Sequence, residues 1–422
     1  MLNEQLWINL APDMLLEWEQ CYFEGRDVER FRNLCKEIAE INDEELAEKT
    51  AVLMRNAPIR TDFLFSEPSD YGQIQKEKPV CEKTYPEIKD SLLLKDKLTG
   101  AWIGRIAGCL LGKPVEGYKR DKLLPLLKNT GNYPLQKYIG NFNDELVKGA
   151  APVDDDTNYT VFALKLIEEY GKGFTPNDVL EAWLRWIPFL ATCTAERAAY
   201  RNAAAGLTAP QTALYKNPYR EWIGAQIRGD FFGYINIGNP KAAAEMAWRD
   251  ASVSHVKNGI YGEMFVSALI AAAAVCGDVT EIIETALCEI PLNCRLQRDI
   301  NQVLKWHKNG NSADFVIEKI HECYDEHTAA GWCYTNSNAM VVVMALLFGE
   351  KNFGKTICLS VQAAFDTDCN GATAGSVIGI MLGAEKIDSY WPQAFYYRVK
   401  TSVEGYETVS VDELVEKTIK LL

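Results

Sequence analysis

Residues Gly100–Tyr118 read GAWIGRIAGCLLGKPVEGY. Gly100, Gly104, Gly108 and Gly112 recur every four residues, which places them on one face of a helix. A phosphate-cradling loop bunches its glycines instead of spacing them by a helical turn. The stretch therefore predicts a helix built for close contact with another helix, stopped by Lys113-Pro114. Outward from it, the helical period continues. TPNDVLEAWLRWIPFLA (175–191) opens with Thr175, Pro176 and Asp178, a strong helix start. NPKAAAEMAWRDASVSH (239–255), VTEIIETALCEIP (279–291) and FGKTICLSVQAAF (353–365) follow the same three- and four-residue spacing. MVVVMALLFG (340–349) is β-branched enough for a strand, but its helical neighbours favour a buried helix. Strand–turn–strand signals are nearly absent, so the fold class expected is all-α, with no extended sheet.

Residues 1–55 are expected to form an N-terminal helical extension, because DMLLEWEQCYFEG and DVERFRNLCKEIAEINDEELAEKTAVLMRN keep helical spacing. Residues 56–89 are rich in Pro, Ser, Asp and Lys without that spacing, and read as a linker or loop packed on the main body. Phe63, Phe65 and Tyr71 are its expected anchors. Residues 90–422 form the expected compact main domain.

With 48% hydrophobic residues in 422, the chain can bury a large core. Its net charge of −14 argues against nonspecific binding to a nucleic-acid backbone. The twelve cysteines are scattered with no CxxC, so reduced thiols are expected, with Cys109, Cys276, Cys288, Cys333 and Cys358 in apolar surroundings. The start, MLNEQLWINLAPDMLLEWEQ, has no basic region ahead of a long apolar core, and no apolar run reaches the length of a membrane span. A cytoplasmic protein without membrane or nucleic-acid partners is the expectation.

Two acidic clusters carry the chemistry. In APVDDDTNYTVFALKLIEE (151–169), Asp154, Asp155 and Asp156 lead into a helix, and in AAFDTDCNGATAGSVIGIMLGA (363–384), Asp366 and Asp368 do the same. Adjacent like charges are tolerated at a helix start, where the macrodipole and free N–H groups favour them, or around a divalent cation with oxygen ligands. Either cluster alone fits a cap. Two clusters aimed at one point would supply enough carboxylates for cations that activate water. Glu116 follows the glycine helix; on a solvated surface it is unremarkable, and facing the clusters it suits proton transfer. His307 and His321 lie in charged helical stretches and are expected to be solvated.

The order of a small-residue helix with GxxxGxxxGxPxE, then DDDT, then DTD with a glycine- and alanine-rich helix resembles the ADP-ribosylglycohydrolase family, over about residues 98–385. The resemblance implies a compact orthogonal multi-helix bundle and a hydrolase of an N- or O-glycosidic bond to ADP-ribose or a related ribosyl group. It implies two Mg²⁺ or Mn²⁺ ions on Asp155, Asp156, Asp366 and Asp368. Asp154 stands where the family has a Thr or Ser ligand, and Cys369 replaces a final Thr, a soft donor for a hard ion. Cys109 takes the place of an Asp common in the family's Gly-Asp pair. The resemblance also assigns Glu116, Asp155 and Asp156 to catalysis. Ser254 and His255 match a Ser/Thr–His pair near the substrate, and Asn370 and Gly371 start the helix offered to a phosphate or ribose. The family's phosphate loop would fall near YKNPYREWIGAQ (215–226), which has no glycine run before Arg220. The expected partner is a small-molecule or ADP-ribosylated substrate. The rival readings are a same-fold hydrolase of another glycosyl or nucleoside substrate, and a ligand-binding protein that keeps the fold without turnover.

Overall fold

A computed structural model describes residues 5–81, 83–140 and 147–422. Residues 1–4 of the segment read for a leader, and residue 82 of the linker, lie outside the described residues. The described chain is all-α, with 22 α-helices and two short strands. Those strands, Arg398–Lys400 and Thr408–Ser410, pair antiparallel in a three-residue ribbon. Such a ribbon is too short to leave an alternating pattern in sequence.

The centre is a pair of antiparallel helices, Ser91–Gly112 and Thr367–Leu382. Their glycines face each other in register: Gly100 with Gly379, Gly104 with Gly375, Gly108 with Gly371, and Gly112 with Thr367. A Cβ at Gly104 would lie 2.0 Å from the Gly375 carbonyl oxygen, and one at Gly108 1.9 Å from that of Gly371. Backbone touches backbone along the whole contact, which only glycine permits. The ladder therefore brings the end of the first helix to the start of the second.

Other helices begin and end where local chemistry directs. Pro176–Trp186 starts with a capping box, Thr175 and Asp178 exchanging bonds with each other's backbone. Thr335–Phe348, the β-branched segment, is buried on every face, so packing overrides its strand propensity. Among its described residues the segment 56–89 contains one helix, Tyr71–Glu77, that the sequence reading did not anticipate; Asp70 caps it, and two turns are too short to show a period. Phe65 lies under Arg298, and Tyr71 packs on Trp248 with ring centroids 5.2 Å apart.

The N-terminal helices Met14–Phe23, Arg32–Ile41 and Glu44–Arg55 bury a small core of their own, including Met14, Ile38 and Met54. Ion pairs hold them to the body. Arg220 meets Glu17 and Glu24 at 2.6 Å each, Lys257 meets Glu24 at 2.9 Å, and Gln20 donates to Glu221. No helix among the described residues is long and apolar enough to cross a membrane. All twelve cysteines are free; Cys109, Cys333 and Cys358 are buried, whereas Cys276 and Cys288 are partly exposed.

Candidate active site

Asp154 caps the helix Asp155–Tyr170, its Oδ1 accepting from the Asp156 N–H at 3.0 Å. Asp366 precedes Thr367–Leu382 without a side-chain cap bond. The cap explanation thus covers the first cluster and fails for the second. Asp366 instead follows two non-glycine residues in the left-handed region, Ala364 (φ 66°) and Phe365 (φ 58°), a conformation that costs on the order of 1 kcal/mol each. Its neighbours brace it. Trp332 donates its indole N–H to the Phe365 carbonyl at 2.7 Å, and the Asp366 N–H donates to Asn338 Oδ1. His321 stacks on Phe365 and lies 2.9 Å from the Ala363 carbonyl. This corrects the solvated reading of His321, and of His307, which sets its ring edge-on to Phe348. An imidazole on a helix edge has an apolar face to bury, which charge-rich flanking sequence conceals.

The two clusters meet. One oxygen each from Asp156 and Asp368 and the Cys369 thiol lie within 4.8 Å of one another, and so do Cys109, Asp154 and Asp156. Asp154, Asp156, Asp366 and Asp368 are buried; Asp155 is the least covered aspartate, and Glu116 is exposed. Burial, and after it the neighbouring carboxylates, pushes Asp155 and Asp368 well above the ordinary carboxylate range. Asp156 is pushed the same way by burial, against the pull of Arg105. Burial raises Asp366 to about 6. Cys109 and Cys369 are likewise held protonated by burial first and the surrounding aspartates second.

Two cations stand in this acid, and both escaped the sequence reading. Arg105, fully buried on the glycine helix, donates from Nη2 to Asp156 Oδ1 at 2.9 Å and to the Ile227 carbonyl at 2.7 Å, and its Nη1 lies 3.3 Å from Asp230. Lys113 Nζ lies 2.7 Å from Asp154 Oδ2, 2.7 Å from Glu116 Oε2 and 3.4 Å from Asp368 Oδ2. Burial alone would lower the lysine, but Asp154, Asp368 and Glu116 outweigh it and keep the ammonium charged. A lone arginine in WIGRIAG was the available signal; Lys113 was hidden by its ordinary place in a helix stop.

Asp156 Oδ2 and Asp368 Oδ1 are buried without a hydrogen-bond partner. Buried carboxylates left with unpaired oxygens this close to one another fit a divalent cation. Asn370 is buried and donates to Asn338. The room left by Gly371's missing side chain is filled by the Gly108 backbone. Ser254 and His255 bond each other at 2.8 Å inside a second buried network, where Arg228 meets Ser254, Glu196 and Asp250. His255 also lines a cavity of about 470 Å³ with Ser69, Asp70 and Trp248.

An all-α body that gathers carboxylates from two helix starts at one buried point defines a class of proteins with a central acidic, cation-fitting site. The family model described as ADP-ribosylglycohydrolase matches residues 90–420, and the chain belongs to that family. A solved structure, "ADP-ribosylglycohydrolase-related protein complex", shares the fold with a TM-score of 0.50 at 19% identity, over 78% of this chain and 97% of that one. A search of the curated proteins returns no match.

Proposed function

We propose that this chain is a cytoplasmic, metal-dependent hydrolase of an N- or O-glycosidic bond to ADP-ribose or a related ribosyl group. The observation that carries the reading is the pair of orphaned oxygens, Asp156 Oδ2 and Asp368 Oδ1, buried at the meeting point of two acidic helix starts in a chain of this family. Asp156, Asp368 and Cys369 would hold the ion, with Asp155 and Asp366 beside them. A hard ion such as Mg²⁺ or Mn²⁺, when bound, lowers the pKa of water and polarises oxygen. Arg105 fixes the rotamer of Asp156 by binding its other oxygen. Asp155, the aspartate nearest solvent, would accept the proton of an attacking water, and Glu116 would exchange a proton with the leaving group. Both roles require a substrate seated over the exposed edge formed by Asp155, Lys113 and Glu116.

Arginine-linked and serine-linked ADP-ribosyl peptides, incubated with purified protein and Mg²⁺ or Mn²⁺, test the reading. Release of ADP-ribose that disappears with chelator or in Asp368→Ala is expected; no release from either linkage, with either ion, refutes it. A second reading, a ribosyl or nucleoside substrate without the diphosphate, is favoured by Arg220. That side chain, in the stretch where the family's phosphate loop would fall, is already held by Glu17 and Glu24. The same assay with nucleosides separates the two.

A further inference from the structure

Counting oxygens around the acidic cluster shows which are spent. Asp154 uses Oδ1 to cap the Asp156 N–H and Oδ2 to face Lys113. Asp156 gives Oδ1 to Arg105, and Asp368 turns Oδ2 toward Lys113. Of these three aspartates, two buried oxygens keep no partner, Asp156 Oδ2 and Asp368 Oδ1, and one oxygen of each of these two residues lies within 4.8 Å of the Cys369 thiol. The Lys113 side is complete without an added ion: three carboxylates surround one ammonium, as three would surround a divalent cation.

The ammonium is held there by the backbone. Gly112 packs on Thr367, so the residue after it must start beside the second acidic helix. The Lys113 N–H bonds the Cys109 carbonyl at the end of the glycine helix, where the dipole favours positive charge. Pro114 then turns the chain away, and Glu116 returns to close the third side.

We infer that Lys113 is the resident cation of this site: its ammonium fills one of two cation positions, and the chain takes a single divalent ion, on Asp156, Asp368 and Cys369. The inference rests on the metal-dependent reading above. A second ion on Asp154 would have to displace the ammonium, or sit against it as a like charge.

Metal counting on chelator-stripped protein titrated with Mn²⁺ alone tests it, by equilibrium dialysis and elemental analysis. Wild type is expected to bind one Mn²⁺ per chain and Lys113→Met two, with Lys113→Arg remaining at one. Lys113→Gln serves in place of Lys113→Met should the latter not fold, as judged by circular dichroism. Two ions on wild type, or one ion on both wild type and the neutral variant, overturns the inference while leaving the metal reading standing. No ion on any variant defeats the metal reading itself, and the inference with it.

Discussion

At the scale of single residues, the centre is governed by uneven charge compensation. Asp156 and Asp230 share Arg105, all three sealed from solvent. Arg105→Met would leave two carboxylates buried without their cation, and breaking a buried pair in this way costs about 3–5 kcal/mol. A large fall in melting temperature is the expected outcome; an unchanged one would mean that Asp156 and Asp230 are neutral in the folded chain. Asp366 carries the opposite sign. Its carboxyl titrates near 6 in the folded chain against an ordinary 3.8, so the folded state keeps a proton that the unfolded state has lost. Metal-free protein should therefore lose stability as pH rises from about 4 to about 6, by on the order of 3 kcal/mol from this group, with no further loss from it above that window. Melts in chelator at pH 4.5 and 7 check this, and Mn²⁺ should restore the stability at pH 7. The five aspartates were readable from sequence because runs of like charge stand out. Lys113 and Arg105 were not, since their importance lies in partners 255 and 51 positions away.

At the scale of elements, the four-residue glycine spacing announced a close contact but could not name its partner. Periodicity describes one face of one helix, and of the facing glycines, Gly371 reads in sequence as the start of a helix offered to a ligand. The structure spends that face on backbone. A methyl at Gly104 would meet the carbonyl of Gly375, which cannot rotate aside as a side chain can. Gly104→Ala is expected to cost about 3 kcal/mol and to weaken Mn²⁺ binding, because pushing the helices apart also parts Asp368 from Asp156, which Arg105 holds to the first helix. Gly173→Ala, where an added Cβ meets nothing within 4 Å, is the control and should leave both unchanged. The helix Tyr71–Glu77 and the strand ribbon escaped sequence reading for one reason: neither is long enough to complete a pattern.

At the scale of the whole molecule, the N-terminal extension is tied to the body by charges that neither part can leave unpaired. Glu17 and Glu24 face Arg220, and Glu24 also faces Lys257. Helical spacing revealed the extension, but its docking rests on pairs as far as 233 positions apart, beyond the reach of any local pattern. Glu17→Gln should lower stability by about 3 kcal/mol, and calorimetry should still show one transition, because the broken pair belongs to both parts. Two resolved transitions in the wild type would show that the extension unfolds independently.

The glycine ladder also sets a timetable. Lys113 and Asp368 are 255 residues apart, so at ribosomal speeds of about 5–20 residues per second the second helix follows the first by roughly 13–50 s. Throughout that interval the glycine face of the first helix has no mate, and Lys113 has at most Glu116 and Asp154 of its three carboxylates. The nascent chain cannot assemble its acidic centre early. The centre closes only once the second helix has been made, when the helices encoded between the two already stand to receive it.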